Sequence, residues 1–255
     1  MIIRKSRSEI ETMARAGEVV ADTLALLEDR IRPGVTTAEL DAAAEEYIRS
    51  RGGYPTFKGY KGYPAAICAS PNDMVVHGIP GDYRLEEGDV LSIDVGVTLD
   101  GFVADSAWTF PVGQISVEAE RLLETCEQAL YAGIEQARAG NEVGDISAAV
   151  QRRTEEAGFA VIRSLVGHGV GRSMHEDPQI PNFAGPYRGP ELREGMTVAI
   201  EPMITAGAAE IYVADDDWSI STDDGSLAAH FEHTVAVTPE GPRILTAAGA
   251  TALLP

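Results

Sequence analysis

Residues 85–108 read LEEGDVLSIDVGVTLDGFVADSAW: a turn, an apolar strand, a tight reversal and a second strand. Val90 to Val97 is apolar except at Ser92 and Asp94. An ionised carboxylate inside such a run is costly to bury unless something positive compensates it. Thr98-Leu99-Asp100-Gly101 supplies the chemistry of a hairpin turn. The returning strand carries Asp105 among Phe102, Val103, Ala104, Ala107 and Trp108. With a two-residue loop, Asp94 pairs with either Asp105 or residue 107. In both registers the two acids share a face, with backbones roughly 4.5–8 Å apart. Like charges that close call for a cation between them or a proton on one. A half-exposed hairpin with two solvated acids is the blander reading, and the apolar flanks speak against it.

The first ten residues of this stretch recur. Leu85-Glu86-Glu87-Gly88 leads through four residues to Ile93-Asp94, and Leu192-Arg193-Glu194-Gly195 leads through four to Ile200-Glu201. Upstream, Gly34, Leu40, Ala43 and Gly52 match Gly140, Ile146, Ala149 and Gly158 at nearly the same offset. Between these segments lie two histidines in similar settings, His77-Gly-Ile-Pro and His175-Glu-Asp-Pro. Three matches in one order point to two related α/β halves, each bringing a histidine and a strand-borne acid to a shared centre. Convergent strand-entry chemistry is the alternative, because Glu-Gly-Asp is a common turn.

Two further acids stand alone in apolar strands: Glu201 in Val198–Met203 and Glu232 in Ala228–Val237. One such acid is ordinarily a salt-bridge partner. Four acids need positive partners, and these strands contain no lysine or arginine. His168 lies between Gly167 and Gly169, and those glycines let the backbone pass close to a ligand. One imidazole and four carboxylates form a mostly oxygen-donor set, suited to two divalent ions of manganese, iron, cobalt or zinc. Such a pair activates water for hydrolysis of an amide, ester or phosphate.

The rest of the chain frames this centre. Forty acidic against twenty basic residues give a net charge of −20. That balance offers no general attraction to nucleic-acid backbones or anionic membranes. Cys68 and Cys126 have no metal-binding spacing, and the charged N-terminus carries no apolar leader. No run approaches the ~18 apolar residues of a membrane span, so the expected location is the cytoplasm. Helices are expected from a capping box at Ser8 and Glu11 to Pro33, from Thr36 to Gly52, from Ser116 through Ile134, and from Val143 to about Gly158. Strands are expected at 65–69, 89–98, 102–110, 160–166, 196–204, 210–213, 218–222, 228–238 and 243–246. No linker divides residues 1–255, so one domain is expected.

Set in order, the stretches YKGYP (60–64), VVHGIP (75–80), DVGVTLDGFVAD (94–105), GHGVGRSMHEDPQIPN (167–182), AIEPM (199–203) and FEHTVAVT (231–238) resemble the type I methionine aminopeptidases. The resemblance spans essentially the whole chain. It implies a mixed α/β (α+β) pita-bread fold: two pseudo-symmetric halves with antiparallel sheet inside and helices outside. It implies that Asp105, His168, Glu201 and Glu232 bind one metal, and that Asp94 binds the other with Asp105 and Glu232 as bridges. It makes Glu201 the proton shuttle, His175 a hydrogen-bond donor to the scissile peptide, and His77 a positioning group near the substrate's amine. It lines a methionine pocket with Phe57, Tyr60, Tyr63, Cys68, Met174 and Trp218. The triple Asp215-Asp216-Asp217 reads separately as a solvated turn before Trp218. The implied substrates are N-termini of nascent polypeptides with small second residues, met near the ribosome by a monomer.

Two relatives of the same fold compete. A proline dipeptidase or Xaa-Pro aminopeptidase would share the five ligands but carries an extra N-terminal domain, and an inactive binding protein would lack ligands. Gly96 departs from the hydroxyl residue of many relatives, which alters support of the metal. Ile2 is larger than the second residues the family accepts. The purified protein is therefore expected to keep Met1 in an intact-mass spectrum, and a mass lower by one methionine would contradict this.

Overall fold

The structure is a computed structural model that describes residues 1–186 and 188–247. In chain order its elements are α1 (Arg7–Glu28), α2 (Thr37–Ser50), β1 (Tyr54–Pro55), β2 (Cys68–Pro71), β3 (Met74–Val76), β4 (Val90–Leu99), β5 (Phe102–Pro111), α3 (Val117–Glu135) and α4 (Val143–Glu156). There follow β6 (Ala160–Val161), β7 (Val166–Gly169), β8 (Glu176–Pro181), β9 (Thr197–Ile200), β10 (Met203–Thr205), β11 (Ile211–Val213), β12 (Ile220–Thr222), β13 (Ala228–His230), β14 (His233–Thr238) and β15 (Gly241–Ile244).

The repeat seen in the sequence is a repeat of structure. The backbone N–H of Gly34 donates to Leu85 O at 2.8 Å, and that of Gly140 donates to Leu192 O at 3.0 Å. Thr37 N donates to Tyr83 O where Val143 N donates to Pro190 O, and Gly88 N to Val112 O where Gly195 N donates to Val237 O. Isolated bridges join Thr36 to Arg84 and Glu142 to Glu191 at matching points. Each half then lays two helices on antiparallel sheet. Val19, Val20, Leu24, Leu40 and Ile48 pack on Leu91, Ile93, Val95 and Val97. Leu122, Leu130, Ile134, Ile146 and Val150 pack on Val198, Ile200, Val235 and Val237. The helices exist because apolar residues recur at the helical period on one face, and that stripe is what each sheet covers.

The hairpin takes the diagonal of the two registers the sequence allowed. Asp94 stands opposite Ala107 and Gly96 opposite Asp105, with Leu99 facing Phe102. Its tip residues Asp100 and Gly101 have φ of 50° and 79°, the doubly left-handed turn whose twist matches paired strands.

Four expectations are corrected. The first helix is capped by Ser6 and Glu9, since Glu9 Oε2 accepts from Ser6 N at 2.9 Å while Glu11 is drawn off to Arg243 at 2.6 Å. The strand expected over 196–204 breaks at Glu201-Pro202, because Pro202 has no N–H for the ladder. The strand expected over 228–238 breaks at Phe231-Glu232, where Glu232 N leaves its neighbour for Ala107 O at 2.8 Å. The 160–166 strand is two, Ala160–Val161 and Val166–Gly169. The short strands β1, β3 and β8 carry too little pattern to be seen in sequence.

Gly34 and Gly140 have φ of 93° and 94°, with nothing within 4 Å of an added Cβ. Gly34→Ala and Gly140→Ala should therefore cost the same, about 1–2 kcal/mol each of unfolding free energy in urea, from the left-handed backbone alone. Unequal losses would show that the two turns are not equivalent.

Candidate metal centre

The two halves meet along a seam of hydroxyls, and the acids lie on it. Thr234 Oγ1 accepts from Asp105 N at 2.9 Å and donates to Asp105 O at 2.8 Å. Ser106 Oγ donates to Glu232 O, and Thr109 Oγ1 donates to His230 O while accepting from His230 N. β5 of the first half is thereby held against residues 230–234 of the second.

Asp94 and Asp105 project from the hairpin, and His168 from β7, which pairs with β9 just before Glu201. His168 Nε2 lies 3.5 Å from Glu201 Oε1 and 3.9 Å from Asp105 Oδ2. Its Nδ1 is 2.9 Å from Gly169 O. A carbonyl can only accept, so Nδ1 carries the proton and Nε2 turns its lone pair to the carboxylates. The flanking glycines have a different reason from the one expected. A Cβ on Gly167 would stand 2.4 Å from Ala199 O, and one on Gly169 2.2 Å from Asp177 O. They let neighbouring strands close on His168, whereas the sequence reading had a ligand there.

Burial is severe. Among the described residues, four buried side-chain polar atoms have no hydrogen-bond partner: Asp94 Oδ1, Asp105 Oδ1, Glu232 Oε1 and His230 Nε2. All four belong to residues lining one cavity of ≈ 320 Å³. Burial pushes the Asp94 and Glu201 carboxyls up to about 7. Burial and then neighbouring carboxylates push Asp105 and Glu232 well above the carboxylate range. Orphaned polar atoms are expensive to bury, and carboxylates with no cation resist ionisation. Two sets of donor atoms lie within 4.8 Å of one another: Asp105, His168 and Glu232, and then Glu201, His230 and Glu232. A divalent ion answers both the charge and the missing partners, so the donor set fits the metal expected from sequence.

Every ligand, catalytic and pocket residue expected from the sequence lines this cavity. Tyr63 spends its hydroxyl on Gly78 O at 2.8 Å and Ile67 O at 3.1 Å, and Trp218 meets its ring edge-on at 5.1 Å. Trp218 is held by the acidic turn before it, since Asp216 Oδ1 accepts from Trp218 N and Ser219 N. Tyr60 goes beyond pocket lining: its hydroxyl is 2.8 Å from His175 Nδ1 and the rings stack at 5.5 Å. Gly96 explains its own departure. A Cβ there would come within 2.7 Å of Met174 Cε and 2.8 Å of Phe57 Cε1, so these two side chains fill the space a larger residue would take. Cys68 pairs with Asp94 across β2 and β4. Burial raises its thiol well above the usual value, which makes it an apolar wall and no nucleophile.

His230 was missed. It lies two residues before Glu232, and in a strand that spacing puts both on one face, which was a readable signal.

The profile of metallopeptidase family M24 matches residues 11–239. The methionine aminopeptidase of Clostridium perfringens is 51% identical over 96% of this chain and 99% of its own. Methionine aminopeptidase 1 of Bacillus subtilis is 48% identical over 96% and 99%. The crystal structure of the Thermotoga maritima methionine aminopeptidase superposes with TM-score 0.95 at 43% identity, over 97% of this chain and all of that one. The Pyrococcus furiosus prolidase shares the fold at TM-score 0.76 but only 24% identity, and this chain spans 65% of it.

A pH test follows from the raised carboxyls. In metal-stripped protein, Asp94 and Glu201 hold protons when folded up to about pH 7, whereas unfolded they release them near pH 4. The folded state binds more protons across that window, so stability is greatest below it and is lost as pH rises through about 7. Thermal midpoints should fall from about pH 5 to about pH 8, and added divalent metal should raise them more at the higher pH. A metal effect independent of pH would count against ligation by these acids. Fold, donor set and relatives agree: the chain belongs to metallopeptidase family M24 and, within it, to the methionine aminopeptidases.

Proposed function

We propose that the chain removes the initiator methionine from nascent polypeptides with a small second residue. The observation that carries this is the convergence of four carboxylates and His168 on one cavity that also holds a soft, aromatic pocket. Asp105, His168, Glu201 and Glu232 would hold one divalent ion, and Asp94 a second with Asp105 and Glu232 shared. Such ions, when bound, polarise a carbonyl and acidify water.

The protein's own groups do the rest. Phe57, Tyr63, Cys68, Met174 and Trp218 receive the thioether chain, to which sulfur and aromatic edges are well suited. Glu201 takes a proton and returns it to the leaving amine. Tyr60 occupies His175 Nδ1, which leaves Nε2 for the scissile peptide and the charge developing on it. His77 is pushed down to about 4 by burial, so near neutrality it positions the substrate by hydrogen bonding and adds no positive charge. The free α-amine is directed to the Asp94 side, which explains why only terminal residues would be cut.

Manganese, iron, cobalt and zinc are all chemically admissible for this donor set. The reading carries with it a cytoplasmic monomer that meets its substrates near the ribosome, where unprocessed N-termini emerge. Among the described residues no helix is long and apolar enough to cross a membrane.

The test incubates metal-depleted protein with Met-Ala-Ser and with Gly-Pro, restoring each of the four metals in turn. Methionine release with at least one metal is expected, and Glu201→Gln should lower kcat about 10²–10⁴-fold. Proline release alone, or no turnover with any metal, would overturn the proposal.

A further inference from the structure

We propose that His230 is a protein ligand of the metal centre, giving it two imidazoles, His168 and His230, on opposite oxygens of Glu201. The inference rests on the metal-dependent reading above and adds a residue to it. His230 ends β13, where Thr109 Oγ1 holds both its N–H and its carbonyl. Ala229 beside it packs into the helix-facing core, so strand alternation turns His230 the other way, into the cavity.

There its ring is 2% exposed and its Nε2 has no hydrogen-bond partner. A structural histidine buried this deeply normally gives or receives a hydrogen bond at that atom. The two nearest carboxylates stand too far off for one, with Glu201 Oε2 at 3.6 Å and Glu232 Oε2 at 3.9 Å. The 3.6 Å spacing to Glu201 suits two donors of a common ion, since bonds of ~2.1 Å place adjacent ligand atoms ~3–3.6 Å apart. His168 stands in the same relation to the other oxygen of Glu201, at 3.5 Å. Glu232 belongs to both donor sets, one with Asp105 and His168 and the other with Glu201 and His230. His230 would therefore join the ion assigned above to Asp105, His168, Glu201 and Glu232, giving that ion two nitrogen donors. A second imidazole moves that donor set further from oxygen ligation and toward the borderline ions zinc, cobalt and iron.

The test counts imidazoles without reference to turnover. Protein loaded with two equivalents of Co(II) should show two exchangeable, strongly downfield imidazole N–H resonances in its proton NMR spectrum. His230→Gln should retain one of them, and its affinity for one of the two cobalt ions, by calorimetry, should fall ~10-fold or more. A single resonance in the fully loaded wild type overturns the assignment of His230 while leaving the centre itself intact. So does a His230→Gln protein with both resonances. Failure of the wild type to bind cobalt at all removes the centre, and His230 with it.

Discussion

Four carboxylates forced into one desolvated space are the constraint around which this molecule is organised. Asp94, Asp105, Glu201 and Glu232 repel one another, and among the described residues no lysine or arginine pairs with any of them. Their burial raises every one of their carboxyls. Such an arrangement survives only if the surrounding scaffold over-determines it and a cation compensates it. The scaffold is duplicated for that purpose: each half turns two helices onto antiparallel strands and sends acids inward from them.

The strand breaks belong to the same constraint. Glu201 directly follows the last residue of β9, and Glu232 lies in the gap between β13 and β14, where the backbone leaves the ladder and the side chain can be re-aimed. At Glu232 the lost ladder partners are replaced by the seam, with Glu232 N on Ala107 O and Ser106 Oγ on Glu232 O, and at Glu201 the carbonyl accepts from Asn182 Nδ2. Hydroxyls suit this task because each can both give and accept a hydrogen bond, as Thr234 does for the backbone of Asp105. The halves thus meet through satisfied polar contacts immediately beside unsatisfied ones, which keeps the orphaned atoms confined to the cavity.

Specificity and chemistry share walls here. Tyr60 lines the pocket and also sets His175, while Cys68 stands opposite Asp94 on the neighbouring strand. The absence of a side chain at Gly96 is answered by Phe57 and Met174, so a change at any of these three positions is felt by the other two. Pocket shape and ligand geometry are therefore coupled through packing of the same few side chains.

Much of this was legible in one dimension because burial writes itself into local pattern. Isolated acids in apolar strands, the Asp100-Gly101 turn and the doubled Leu-x-Glu-Gly motif each depend on neighbours within about ten residues, so Asp94, Asp105, Glu201 and Glu232 could be named without coordinates. The helices could be too, although Ser6 displaced Ser8 as the cap because Glu11 had a partner at Arg243, far along the chain. What only the tertiary structure decided were the long-range contacts: the breaks at Glu201 and Glu232, the bond from Tyr60 to His175, and the arrival of His168 and His230 at the two oxygens of Glu201. Those depend on which atoms from distant strands compete for a given partner. A local pattern carries the cost of burying a group, whereas the identity of what compensates it is settled only when the chain closes.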